Sequence, residues 1–157
     1  MTDEIERQGG CACGKVRYRV RGTPIMTHAC HCSFCQRETG GAFAVNMLYE
    51  RARVALEGEV MAVLTPSASG KGQTILRCPD CRVALSSHYP GGGDKVHFVR
   101  AGTLDDTSTV EPDVHIYTSS KQPSVIVPDG APSFAHFYDP REFWSDDTMG
   151  RWRAAVG

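Results

Sequence analysis

The seven cysteines of this chain fall into three tight clusters, and no other feature constrains its fold as strongly. They read Cys11-Ala-Cys13, Cys30-His-Cys32-Ser-Phe-Cys35 and Cys78-Pro-Asp-Cys81. Thiolates one or two residues apart turn readily onto a single ion, and zinc takes sulfur ligands at about 2.3 Å. Four thiolates close a tetrahedral structural site. Three remain, and three thiolates with an empty fourth position describe a metal that can do chemistry. Disulfides are the competing use. They need an oxidising compartment and ordinarily an even count, whereas this chain has seven cysteines and an acidic, polar opening, MTDEIERQGG, with no apolar signal core. Zinc is the better reading, in a soluble protein of the cytoplasm.

A length of 157 residues suits one domain, 1–157. A chain of this size buries about 68–70% of the surface exposed by its unfolded form, so it can build a core without crosslinks. Seventeen Lys and Arg against eighteen Asp and Glu leave it nearly neutral, without the strong field that a nucleic-acid or anionic-membrane partner calls for. No apolar run approaches a membrane span.

Between the cysteines the pattern is that of short strands. Over 15–21, Val16, Tyr18 and Val20 alternate with Lys15, Arg17, Arg19 and Arg21, the period of a half-buried strand. Segments 42–49, 59–64, 73–77, 83–89, 95–100, 114–118 and 124–127 read as further strands, separated by turn residues at 66–70, 90–93 and 128–130. Helical pattern is confined to 34–39 and a tail over 141–155. The expectation is a mainly β fold with a short C-terminal helix. Context also decides Cys78-Pro-Asp-Cys81. A dithiol redox motif opens a helix in a βαβ unit, but here Val83, Leu85, Ser87 and Tyr89 alternate as a strand, which makes the pair a metal-binding knuckle. The Cys11 and Cys78 knuckles together would form a closed four-cysteine site. Spacing alone leaves open whether the middle cluster borrows from either.

The stretches GGCACGKVRY, CHCSFCQRETGGAF, CPDC followed by AGTLDD, HIYTSSKQP and PDGAPSF occur in that order. Together they resemble the glutathione-dependent formaldehyde-activating enzymes, which share their domain with centromere protein V; the resemblance runs from about Gly9 to Phe134. It implies a β-tent of short, twisted antiparallel sheets organised around a structural zinc on Cys11, Cys13, Cys78 and Cys81. It also implies a catalytic zinc on Cys30, Cys32 and Cys35. The implied activity is that of a carbon–sulfur lyase, joining glutathione or a related thiol to formaldehyde or another small aldehyde. Two positions depart from the family pattern. Arg82 stands where a glycine usually follows the knuckle, and Ser124 stands where an aromatic residue usually follows Lys121-Gln-Pro123.

A zinc with an open position holds an incoming thiol deprotonated, and that thiolate is a nucleophile for a carbonyl carbon. His28, two residues before Cys30, shares its face on an extended backbone, and His31 points away; structural roles are the ordinary reading of both. No motif recommends His97 or His115. Glutathione carboxylates could meet Arg37, Lys121 or the row Lys15, Arg17, Arg19 and Arg21, although such a row is ordinarily a solvated strand face. Phe43 could line the pocket or the core. Two alternatives remain: the same chemistry on a different thiol or carbonyl, and a non-catalytic zinc-stabilised binding module.

Overall fold

The computed structural model describes residues 4–157, so Met1 to Asp3 of the polar opening lie outside the described residues. Ten strands follow one another as β1 (Glu6–Gly10), β2 (Arg17–Arg21), β3 (Met26–Cys30), β4 (Ala44–Glu50), β5 (Val54–Glu57), β6 (Met61–Thr65), β7 (Gln73–Arg77), β8 (Ala84–His88), β9 (Val96–Arg100) and β10 (Val114–Ile116). Helix α1 (Ser33–Thr39) follows β3, and α2 (Pro140–Phe143) and α3 (Asp146–Val156) form the tail. The fold is mainly β. A three-stranded sheet has the order β1-β2-β5, and a seven-stranded sheet has the order β10-β3-β4-β9-β8-β7-β6. All pairs are antiparallel except β10 with β3.

Alternation along β4 divides the interior in two. Met47 and Tyr49 join a core with Val16, Tyr18 and Val20 of the small sheet, and this core also contains Cys11 and Cys78. Ala44 and Leu48, on the opposite face of the same strand, join Cys30, Cys32, Cys35, Ile116 and Tyr138, with Trp144 and Trp152 packed against them. One sheet thus carries a small sheet on one face and the helical tail on the other.

Three strands escape the sequence pattern for physical reasons. All five residues of β3 are buried, so nothing alternates. The β1 sequence, ERQGG, looks like a loop. Its Gly9 is required because a Cβ there would lie 2.5 Å from Thr103 O and from the Tyr18 hydroxyl. With four residues, β5 is too short to establish a period. Conversely, 124–127 is not a strand; the Lys121 ammonium instead donates to the Val125 carbonyl at 2.6 Å. The tail divides at Trp144. Asp139 caps α2 ahead of Pro140, and the Ser145 hydroxyl caps α3 by accepting from Thr148 N–H. Among the described residues no helix is long and apolar enough to cross a membrane.

Arg82 accommodates the missing glycine by adopting it in conformation: its φ is 66°. A left-handed backbone costs an L-residue roughly 1–2 kcal/mol. Arg82→Gly should therefore raise the unfolding free energy, by about 0.5–1 kcal/mol after allowing for the greater freedom of the unfolded glycine. Denaturant unfolding of the two proteins measures this, and a less stable glycine variant would contradict the strain.

His97 on β9 is buried and shares a hydrogen bond of 3.2 Å with the Ser86 hydroxyl. Burial, aided by His88 and Arg51 and opposed by Asp94, pushes its pKa down to about 4. The unfolded chain takes up this proton near pH 6.5, the folded protein near 4. The contribution of the neutral imidazole is thus complete above the unfolded value and lost as pH falls from about 6.5 toward 4. His97→Gln should flatten the fall in melting temperature over that interval; an unchanged slope would assign it to other groups.

Candidate metal centre and adjoining cavity

The turn from β1 to β2 carries Cys11 and Cys13, and the turn from β7 to β8 carries Cys78 and Cys81. Each turn is built as a knuckle. Cys11 N–H donates to Val16 O at 3.0 Å and Cys78 N–H to Val83 O at 3.1 Å, while Val16 N–H approaches the Cys11 sulfur at 3.4 Å. Lys15 pairs with Asp80 across the two turns. All four sulfurs lie within 4.8 Å of one another. Cys11 and Cys13 sulfurs are 3.5 Å apart, and those of Cys13 and Cys78 are 3.6 Å apart. A disulfide needs about 2.0 Å. Sulfurs at the corners of a tetrahedron about zinc are roughly 3.8 Å apart when each is about 2.3 Å from the ion. The donor set therefore fits a metal and does not fit a crosslink. Burial raises the Cys11 thiol, but hydrogen bonds from Val16 N–H and the neighbouring sulfurs outweigh this and bring it to about 6.

The second cluster lies on the other face of the large sheet. Cys30 ends β3, Cys32 is the N-cap of α1, and Cys35 lies in its first turn, where its N–H donates to the Cys32 sulfur at 3.3 Å. The three buried sulfurs also lie within 4.8 Å of one another, and among the described residues no fourth His, Cys, Asp or Glu joins them. Hydrogen bonding to Cys32 and Cys35, reinforced by burial, drives the Cys30 thiol up, while hydrogen bonding to Cys30 drives Cys32 down. Sulfurs this close cannot all ionise unless a cation joins them, so this donor set also suits a metal. Nearby, Arg100 is buried yet its hydrogen-bond partners are the neutral Asn46 side chain at 2.7 Å and Ser87 hydroxyl at 2.9 Å.

The long motif after β10 braces the cluster. Gln36 of α1 donates to His31 O at 2.9 Å and to Ser120 O at 2.8 Å, and the Ser120 hydroxyl also reaches His31 O. A cavity of about 590 Å³ borders all three sulfurs. His28, Asn46 and Leu48 form part of its floor, and the tail supplies a wall that includes Trp144 and Trp152.

The other sequence candidates fall into place around this cavity. His28 lines its floor and shares a hydrogen bond of 2.6 Å with Tyr138 Oη through Nε2. His31 points elsewhere, to His115 at 2.9 Å, and His97 belongs to β9 away from the cavity lining. Lys15, Arg17, Arg19 and Arg21 pair with Asp80, Asp105, Glu57 and Glu6, so that row is a solvated strand face. Arg37 reaches Ser33 O, Lys121 is tied to nearby carbonyls, and Phe43 packs against His31; none lines this cavity. Sequence reading missed Lys71, Gln73, Tyr138, Arg141 and the two tryptophans. They lie on a loop, at the start of β7 or on the tail, and no local pattern there gives a direction toward a site set by residues 30–35.

Gln36→Ala removes a donor from two carbonyls and should destabilise the protein by about 1–2 kcal/mol. Arg37→Ala, one residue further along an exposed face, should change stability by less than about 0.5 kcal/mol. Equal effects of the two in chemical denaturation would remove Gln36 from the bracing of α1.

Comparison with known proteins follows this geometry. The chain is 26% identical over 157 residues to a Halomonas elongata protein provisionally named a glutathione-dependent formaldehyde-activating enzyme, with 96% of each chain covered. A Rhodobacter sphaeroides protein of known crystal structure superposes with a TM-score of 0.47 at 19% identity, over 67% of this chain and 91% of that one. The family described as glutathione-dependent formaldehyde-activating enzyme matches residues 6–120, which contain all seven cysteines, and this chain belongs to that family.

Proposed function

We propose that the protein is a zinc-dependent carbon–sulfur lyase or synthase of the cytoplasm, acting as one domain over 1–157. It joins glutathione or a related thiol to formaldehyde or another small aldehyde, giving an S-hydroxymethyl adduct, or runs the reverse cleavage. One observation carries this reading: three buried sulfurs, Cys30, Cys32 and Cys35, gathered on the wall of a cavity without a fourth protein ligand among the described residues. Cys11, Cys13, Cys78 and Cys81 would hold a structural zinc, and Cys30, Cys32 and Cys35 the catalytic one. When bound at the open cluster, zinc supplies a Lewis acid that keeps a thiol deprotonated at neutral pH.

The chain's own residues supply orientation and a dry wall. Trp144 N–H donates to Tyr138 Oη at 2.8 Å, and Tyr138 Oη shares a hydrogen bond of 2.6 Å with His28 Nε2. Burial pushes His28 down to about 3, so the imidazole is neutral and carries one ring proton. With that proton on Nδ1, the ring can donate a hydrogen bond where a carbonyl oxygen becomes a hydroxyl. Tyr138 and Trp144 position that ring. Membership of the family supports the reaction class, and the name of the Halomonas elongata relative supports glutathione and formaldehyde as its substrates.

The purified protein should contain up to two zinc ions per chain. Cys78→Ser should lower both metal content and melting temperature, whereas Cys32→Ser should lose metal but stay folded. Glutathione added to cobalt-substituted protein should strengthen the sulfur-to-metal charge-transfer band, and S-methylglutathione should not. Formaldehyde and glutathione should combine faster than in buffer, with Cys35→Ser abolishing the gain. No rate above buffer across several thiols and aldehydes, with both sites loaded, would favour a zinc-stabilised binding module.

A further inference from the structure

We infer that the aldehyde this protein handles carries a large apolar group, an aromatic ring in particular, in place of the bare carbon of formaldehyde; the inference rests on the reaction proposed above. The cavity beside Cys30, Cys32 and Cys35 is walled by seven aromatic rings, among them Phe34, Phe98, Phe137, Trp144 and Trp152. Formaldehyde has almost no apolar surface with which to fill it. A concave apolar site of about 590 Å³ is sized for a drug-like molecule, and a few polar groups in such a site normally set orientation.

Glutathione is a poor occupant for this wall. It brings two carboxylates and an ammonium, but the only cations on the described cavity lining are Lys71 and Arg141. Arg141 is already committed, with its Nη2 2.7 Å and its Nε 3.1–3.2 Å from the Asp139 carboxylate. Lys71 stands on an exposed loop. The charged tripeptide is therefore placed at the mouth, near Lys71, and the rings are left for the carbonyl partner.

A second observation also points to a ligand. Gln73 lines the cavity and is 3% exposed, yet its Oε1 has no hydrogen-bond partner. An unpaired buried acceptor is costly. A small turn of this amide into the cavity would bring it to a donor on a bound molecule, such as a hydroxyl on the ring.

The reaction balances without an oxidant or reductant. The thiol sulfur bonds to the aldehyde carbon, the carbonyl π bond breaks, and the thiol proton ends on the oxygen as a hydroxyl. The product is an S-(1-hydroxyalkyl) thioether whose alkyl carbon bears the apolar group.

Both tryptophans of the chain lie on this wall, so intrinsic fluorescence reports its occupancy. Zinc-loaded protein should be titrated with S-benzylglutathione and S-methylglutathione, stable thioethers that need no turnover. Burial of a ring should make the benzyl compound bind about 10- to 100-fold tighter. Trp152→Ala should shrink that ratio at least about threefold. Ala68→Trp, which crowds the same cavity from an exposed loop, should shrink it too and stands in should the first variant not fold. Equal affinity for the two thioethers overturns the inference.

Turnover with glutathione separates this inference from the reaction itself. A kcat/KM for benzaldehyde above that for formaldehyde supports it. Catalysis with formaldehyde but not with benzaldehyde overturns it and leaves the proposed reaction standing. No catalysis with either, despite preferential benzyl binding, sinks the reaction and the aldehyde assignment with it.

Discussion

Two turns, 65 residues apart in the chain, have to deliver their sulfurs to one point. The β1–β2 turn belongs to the small sheet and the β7–β8 turn to the large one, so the meeting of Cys11 and Cys13 with Cys78 and Cys81 fixes one sheet on the other. Other contacts conform to that junction. Lys15 pairs with Asp80, Arg17 with Asp105, and Gly9 bridges to Leu104. Exposed ion pairs of this kind contribute little individually. Their role is to agree with a geometry that the knuckles and the apolar packing of Tyr18 and Val20 already set.

The two cysteine clusters differ in number and in access. One cluster has four sulfurs tucked against a core, and the other has three that border a cavity. The large sheet keeps them apart, since successive residues of β4 face opposite cores. Burial of an arginine beside the open cluster is consistent with this arrangement. Among the described residues Arg100 has only neutral hydrogen-bond partners. The Cys35 thiol, lowered by its hydrogen bond to Cys30 but raised further by Cys32 and burial, stands up at about 11, and the Arg100 charge opposes that rise. A buried cation without a carboxylate is costly. Sulfurs carrying negative charge offset part of that cost.

Much of this was legible in the sequence, and what was not has identifiable causes. Alternation exposed β2, because one of its faces is core and the other meets water. It failed for β3, which is buried throughout and so carries no period, although that strand places His28 and Cys30. The knuckles were readable because their ligands are local. The cavity was not, because its walls come from residues brought together only by the fold: Gln73 on β7, Phe98 on β9 and Trp152 on α3. Cationic candidates failed for a related reason. Sequence gives a charge but not its partner, and Arg17, Arg19 and Lys121 were each already occupied. Arg82 is a different case: the departure from glycine was visible, but the backbone kept the left-handed turn.

The tail from Phe137 to Trp152 lies beyond the segment that matches the family, yet it closes the cavity over the cysteines. The three sulfurs of the open cluster and one wall of the cavity beside them are therefore encoded in separate stretches of the chain, 30–35 and 137–152. Substitutions in the second stretch can change which molecules are admitted while every sulfur keeps its place. Selection can thus diversify this scaffold by rewriting its tail, and proteins with matching cysteine patterns need not share a substrate.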